Sequence, residues 1–595
     1  MHTAVPLNSR YSYHAIFSDV CKTRFNHLVT RLLLSVTLAL GLVLTLIGAP
    51  SNATMASKLA VWPVKSLMCY LAVLLVVITR KNYLHVQSPG YSSVITQIYG
   101  QLCSAKFCVY LGIHCISNIC IATAARDAVF DSILRSQQLF AYRFAVWGLI
   151  PALYAIQHVA FDLDKLMFQY GSQHQHPQRY IESSLKKSFT KCLVLALGVI
   201  VSLPLCTLYL AREGSGISVL FLWKIAVLAL LSFTLWDFAN LAFSAYLSIG
   251  CLHKGKPISS LSSTPMETLV TGLSSKKPFT KLTAFQELSF RATSPDIQLR
   301  LPIYHTRYKN VYVWPSILKE CLATINDTNV SVATFMKGLE RQEESYRKTK
   351  RPEKTEFLED AFGQDGLFGN NFVITTSSQS RIPGTPEPHS SELTHRIKVQ
   401  NSNVFAKNHS LQFSSPFQFS NAANNRILTH QTTITNVVYD CIKNVKKAFL
   451  TFFFPVQNSD SSAQISSFEL WRISKKLQAE KLAPLPVCHA ECAVSLMALL
   501  IKSLKEDPKG AVVSSVGEVL KVLERSVGSL GAFAEWNDSQ INKDAIVPDV
   551  VTILYDLSIN AFLEVVLNYN ELLNDVYLDD DVVKLSKWVL EICNE

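Results

Sequence analysis

Leu32–Ala49 reads LLLSVTLALGLVLTLIGA, eighteen residues without a charge. A helix rises about 1.5 Å per residue, so such a run comes close to crossing a hydrocarbon layer roughly 30 Å thick. Five further stretches follow: Leu59–Ile78, with Pro63 and Lys65 near its start, Phe107–Ala125, Phe144–Phe161, Cys192–Ala211 and Ile217–Trp236, the last continuing to about Leu247. Backbone polar groups in lipid must be paired internally, so all six read as helices rather than strands. The 348 residues beyond Leu247 are read as holding no run long enough to cross a bilayer. The expected fold is therefore all-α: a six-helix membrane domain at 32–250 behind a cytoplasmic segment at 1–31, and a larger polar half.

The bulk numbers agree. The chain has 595 residues, 49% of them hydrophobic, and a mean hydropathy of +0.20, which suits a partly lipid-embedded protein of more than one domain. The net charge of +11 is read as the Lys and Arg excess of cytoplasmic loops and anionic headgroups rather than as a nucleic-acid footprint. With the N-terminus in the cytoplasm, the cytoplasmic segments hold twelve Lys and Arg against six in the opposite loops, which places both termini on the cytoplasmic side. Residues 1–31 lack the apolar core of a cleaved signal peptide, so the first span serves as the insertion signal. The sequon Asn52-Ala53-Thr54 lies too close to the membrane for easy modification. Many of the 14 cysteines fall in apolar runs, such as Cys108, Cys115, Cys120, Cys192 and Cys206, as reduced buried thiols do.

Polar residues within the spans raise the alternative of a polytopic transporter or channel with a regulatory tail. His114 and Asn118 share a helix face, Gln157 and His158 end the fourth span, and Lys224 and Asp237, thirteen positions apart, cannot pair within one helix. Interhelical hydrogen bonding is the favoured reading. Pro151 and Pro204 can kink their helices, but matching pairs of broken helices are not evident.

The polar half divides into three. Residues 251–340 read as a membrane-proximal helical unit. Pro278 suits a first helical turn, Phe279, Leu282, Phe285 and Leu288 form a stripe, and Pro315 opens a helix burying Ile317, Leu318, Cys321, Leu322 and Ile325. Residues 341–433, rich in Ser, Asn, Gln, Thr and Pro, are expected to be a disordered linker. It carries Thr385-Pro386, Ser415-Pro416 and two Phe-Gly pairs, too few for a repeat. Residues 434–595 read as an α-helical docking domain, with Val512, Val516, Val519, Leu520, Leu523 and Val527 at helical spacing and an acidic turn at Asp579–Asp581. At its start, 437–454 is VVYDCIKNVKKAFLTFFF: Lys443, Lys446 and Lys447 oppose Phe449, Phe452 and Phe453, as in a helix lying in the headgroup plane.

Enzyme chemistry finds no support. The sequence has no phosphate-binding glycine loop, dinucleotide fingerprint or nucleophile elbow. Cys488, His489 and Cys492 lack a second ligand pair at finger spacing. No catalytic, cofactor-binding or metal residue is assigned.

Met266–Ala292, METLVTGLSSKKPFTKLTAFQELSFRA, followed by Trp314–Leu322, WPSILKECL, resembles the six-span transmembrane nucleoporin family named for the nuclear division cycle, found at nuclear pores and, in fungi, at spindle pole bodies. The likeness rests on Leu273, Ser274, Ser275, Pro278, Lys281, Ala284, Phe285, Gln286, Glu287 and Leu288, and on the plan of six spans, linker and helical tail. The resemblance implies an anchor for the pore scaffold in the nuclear envelope. Its partners would be the bilayer, other pore-membrane proteins and inner-ring scaffold nucleoporins, with no cofactor and no small-molecule substrate.

Overall fold

The apolar runs become long helices in a computed structural model of the chain, which describes residues 12–48, 54–91, 94–130, 136–166, 168, 177–211, 218–308, 311–350, 475–507, 509–536 and 549–594. Helix α1 spans Tyr13–Gly48 without a break, with a π-helical turn at Leu28–Leu33. The next helices are α2 (Met55–Tyr83), a short α3 (Val94–Leu102), α4 (Ala105–Val129), α5 (136–160), α6 (Pro177–Ala211) and α7 (Val219–Leu247). Helix α4 sits at the centre of the bundle, touching α1, α2, α5 and α7, while α6 packs along α7. Gly41 lets α1 and α2 meet closely, because a Cβ there would lie 2.8 Å from Cα of Ser66.

Leu252–His253 (β1) and Lys256–Pro257 (β2) form a small antiparallel hairpin closed by Lys254 and Gly255, both at positive φ. Helices α8 (Pro265–Leu273), α9 (Pro278–Thr293) and α10 (Ile297–His305) follow, then a second two-residue pair, Arg307–Tyr308 (β3) with Val311–Tyr312 (β4). Helix α11 runs from Trp314 to Lys350, ten residues into the stretch read as linker. After residues 351–474 come α12 (Lys475–Leu482), α13 (Pro486–Glu506), α14 (Val516–Glu535), α15 (Val550–Tyr569) and α16 (Asp580–Asn594). The expected stripes are buried: Leu282, Phe285 and Leu288 in α9, Ile317, Leu318, Cys321 and Ile325 in α11, and Val516, Val519, Leu520 and Leu523 in α14.

One sequence expectation is corrected. Eight described helices, not six, are long and apolar enough to cross a membrane, and α13 and α15 are the additional two. Composition cannot separate a bilayer from a protein core, and packing sets α13 apart. The apolar window of α13 is 83% buried inside the protein, against 22–50% for the six in the N-terminal half, and that of α15 is 56% buried. Helix α13 is enclosed by α9, α11 and α15, and α15 lies against α14.

Helices on the two sides of residues 351–474 therefore share a core. Besides the α9–α13 contact, α11 packs on both α13 and α14. Trp314 Nε1 donates to Ser515 Oγ at 3.1 Å, and the Asn329 amide exchanges hydrogen bonds with Ser526 Oγ at 2.8 and 3.1 Å. The two Thr/Ser-Pro pairs and the Phe-Gly pairs of the expected linker, and the expected 437–454 helix of the docking domain with Lys443, Lys446, Lys447, Phe449, Phe452 and Phe453, lie outside the described residues.

Candidate functional site

The stretch carrying the resemblance folds into a buried junction where α1, α8, α9 and α13 meet. Leu273 ends α8, and Ser274 returns its Oγ to Val270 O at 3.1 Å. Ser275 Oγ accepts from the Lys277 amide at 3.2 Å, which turns the chain into Pro278 at the first turn of α9. On α9, Ala284, Phe285, Glu287 and Leu288 are wholly buried. Lys281 remains at the edge, its Nζ 5.8 Å from the Phe285 ring centroid.

Glu287 is the hub. A carboxylate at zero exposure is costly unless it is matched by donors, and here four groups supply them. Tyr13 Oη donates at 3.0 Å, the Ser259 amide at 3.1 Å, and Arg291 Nε, one helical turn on, at 3.1 Å. The Ser259 hydroxyl donates as well, and receives Arg291 Nη2 at 2.8 Å. The first residue of α1, the 3-10 turn Ile258–Leu261 and α9 are thereby tied at one carboxylate. Alongside it, the Tyr13 amide donates to Thr271 Oγ1 at 3.2 Å, and Arg24 Nη2 reaches the carbonyls of Gly250 and Leu252 at 3.1 and 2.7 Å. Gly272 makes room for Tyr13: a Cβ there would stand 2.7 Å from Cγ of its ring.

The other side of α9 receives α13. Cys488, His489, Glu491 and Cys492 of α13 are buried, and twelve cysteines among the described residues are free thiols. No group of three or more His, Cys, Asp or Glu able to hold a metal occurs among the described residues. Burial pushes the Glu491 carboxyl up to about 8, opposed by the Ser289 hydroxyl, and holds His489 down at about 4. Gln286 is 1% exposed, and neither amide atom finds a hydrogen-bond partner among the described residues. Arg300 clasps both carboxylate oxygens of Glu506 at 2.9 and 2.6 Å, which holds that carboxyl below its usual range. Lys502 donates to the carbonyls of Ala292 and Ser294 at 2.9 and 3.2 Å, a cation placed at the negative end of α9.

Within the bundle the polar residues bond to one another. Asn118 Nδ2 donates to Val146 O at 2.8 Å and its Oδ1 accepts from Ser232 at 2.7 Å, joining α4 to α5 and α7. Ser117 Oγ bridges Ala72 O and Trp236 Nε1. His158 meets Asp164 at 3.0 Å, and Asp237 is bound by Lys191 and Ser188. At the same end, Arg80 ties α2 to α7 through the Asn240 carbonyl and Ser244 Oγ, and to Leu163 O at 2.6 Å. Lys106 bridges Asp162 and Asp164 at 3.2 and 2.8 Å, while His85 pairs with Asp162 at 2.8 Å.

A nucleoporin family model, Nucleoporin protein Ndc1-Nup, matches residues 19–587, from within α1 to within α16. The chain belongs to the Ndc1-Nup family. Glu287, Ser259 and Arg291 lie inside that match, and Tyr13 lies six residues before it. "Nuclear envelope protein ndc1" of Schizosaccharomyces pombe is 24% identical over 291 residues, 48% of this chain and 42% of that protein. The chain thus covers less than half of that relative's length. As an Ndc1-Nup family member with long apolar helices, the protein is a transmembrane nucleoporin of the nuclear envelope.

Sequence reading singled out Glu287, Gln286 and Phe285 but missed Tyr13, Arg24, Ser259 and Arg291. The first two lie in a polar segment with no periodic signal, and their partners are more than 200 positions away.

Proposed function

We propose that this nucleoporin is a structural anchor. Helices α1, α2 and α4–α7 cross the envelope membrane, and the body of α8–α16 stands with both termini on the cytoplasmic or nucleoplasmic side. There it docks other pore-membrane proteins and inner-ring scaffold nucleoporins and supports pore assembly. In a fungal cell the same anchor serves insertion of the spindle pole body.

The observation that carries this reading is the Glu287 hub. It fastens the start of the first apolar helix to the element that follows the last one, so force on the body passes directly into the bundle. Asn118, Ser232, Ser117 and Trp236 bond helix to helix, as interhelical contacts of an anchor do. Residues 437–454, whose sequence suits an interfacial helix, add a second membrane contact through Phe449, Phe452 and Phe453.

A fluorescent fusion should give a punctate nuclear rim, and Glu287→Lys should keep the protein in the membrane while scaffold nucleoporins no longer co-purify. A reticular signal without rim enrichment, or scaffold recovery unchanged by a verified break of the junction, contradicts the anchor. For 437–454, flotation with liposomes no greater than that of a Phe-to-Ser peptide removes the second contact.

A further inference from the structure

At one end of the bundle a cleft of about 200 Å³ opens between α2, the turn after α5, α6, α7 and α12. Its charged wall consists of Arg80, Lys165, Lys191, Asp162, Asp237 and Glu480, three cations and three anions, and Leu241, Phe161 and Leu477 supply apolar surface. Two of the residues lining it keep unmatched polar atoms. Arg80 is 2% exposed, and its Nε–H has no acceptor among the described residues; Asn240, 5% exposed, has no donor to Oδ1. Buried polar atoms are generally paired in folded proteins, and these two, among several unpaired in the described residues, sit in one wall, a donor beside an acceptor.

Helix α7 has 29 residues, so it is about 43 Å long and exceeds a hydrocarbon layer of roughly 30 Å. Asp237 and Asn240 stand about two-thirds of the way along it, level with Arg80 near the end of α2. With Val219 at one edge of that layer, Asp237 and Asn240 fall near its other edge, at headgroup depth.

We propose that the cleft holds the headgroup of one glycerophospholipid bearing both a phosphodiester and a primary ammonium. Arg80 and the two lysines face the phosphate, and Glu480 and Asn240 Oδ1 take the ammonium. Lys165 stands 3.8 Å from Glu480 and Lys191 pairs with Asp237, so the wall is charge-balanced as it stands, which suits a zwitterion better than an anion. Because Leu477 and Glu480 come from α12, and Pro484 O accepts from the Ser88 amide at 3.4 Å, the lipid is gripped jointly by the bundle and the C-terminal helices.

The full chain, reconstituted in phosphatidylethanolamine and phosphatidylcholine and then extracted in detergent, tests this by native mass spectrometry. One phosphatidylethanolamine per chain should survive delipidation. Leu477→Trp, which fills the cleft, and Lys165→Met should each lower its retention about tenfold, the loss expected for one charge-assisted contact. Val201→Trp, on the lipid-facing side of α6, should not change it. Added phosphatidylethanolamine should raise the melting temperature of the wild type but not of Leu477→Trp, and diacylglycerol should raise neither. Retention unchanged in both variants, or equal stabilisation by diacylglycerol, overturns the site. Occupation by soluble phosphoethanolamine at the same concentration overturns the lipid as its ligand.

Discussion

Tyr13 and Glu287, 274 positions apart, meet through a 3.0 Å hydrogen bond in a site closed to solvent. Burial and the neighbouring Glu287 hold the phenol protonated, so it is always the donor. Tyr13→Phe removes one of the groups that satisfy the carboxylate and should cost about 1–3 kcal/mol. Glu287→Leu leaves the Arg291 guanidinium, 3% exposed, without its counter-charge and should cost more, about 3–5 kcal/mol. Thermal melts of the detergent-purified chain check the ranking, and equal melts for the two variants would remove the hub.

Gly272 should be intolerant of any side chain while Tyr13 is present. A Cβ there would lie 2.7 Å from the Tyr13 ring and 2.8 Å from Ala284 Cβ, inside the distance real atoms keep. Gly272→Ala should destabilise the wild type clearly and the Tyr13→Ala background less, a positive coupling of about 1 kcal/mol for residues in contact. Strict additivity in the double-mutant cycle would show that the ring does not pack there.

Much of this architecture is legible in sequence for a physical reason. A bilayer demands uninterrupted apolar helices, so Leu32–Ala49 and its five counterparts declare themselves, and the period of Phe279, Leu282, Phe285 and Leu288 marks one face of α9. The start of α1 at Tyr13 does not declare itself, because Asp19, Lys22 and Arg24 break the apolar pattern and the helix is held by tertiary partners. The union of α9 with α13 is equally hidden. These two helices bury Gln286, His489 and Glu491, polar residues that a periodicity argument assigns to the outside. For the same reason α13 reads as ordinary tail although it is apolar enough for a membrane.

Those buried groups give the body a pH signature. With the Glu491 carboxyl raised to about 8, the folded state binds a proton that the unfolded chain, near its ordinary value, has released. Its contribution is complete at acid pH and is lost as pH rises through about 8. His489, lowered to about 4, has the opposite sign: its contribution is complete above the ordinary histidine range and is lost as pH falls toward 4. Glu491→Gln should therefore raise the melting temperature more at pH 8 than at pH 5, and His489→Gln more at pH 5 than at pH 8. Parallel shifts at both values would place these side chains in water instead.

Asn118 offers a test of the bundle. It links α4 to Val146 O and Ser232 Oγ, and a hydrogen bond between membrane helices contributes about 0.6 kcal/mol on average. Asn118→Leu should thus lower stability by roughly 1–2 kcal/mol without altering membrane insertion, since an apolar residue inserts readily. Loss of insertion, rather than of heat stability, would contradict the bonding role.

The pairing of helices across residues 351–474 makes the two halves of the body unequal under truncation. Helix α11 touches α12, so the chain leaves and re-enters the body at neighbouring elements. Replacing 355–470 with about 20 Gly/Ser residues, whose root-mean-square reach is about 25 Å, should leave the melting transition of the body nearly unchanged. Removing 475–595 instead uncovers α9 and α11, including the wholly buried Cys321 and Ile325, and separates Arg300 from Glu506 and Trp314 from Ser515. That truncation should make α8–α11 protease-sensitive while the membrane helices stay protected. If the internal deletion melts as early as the truncation, residues 351–474 contribute to the core and the closed body is wrong.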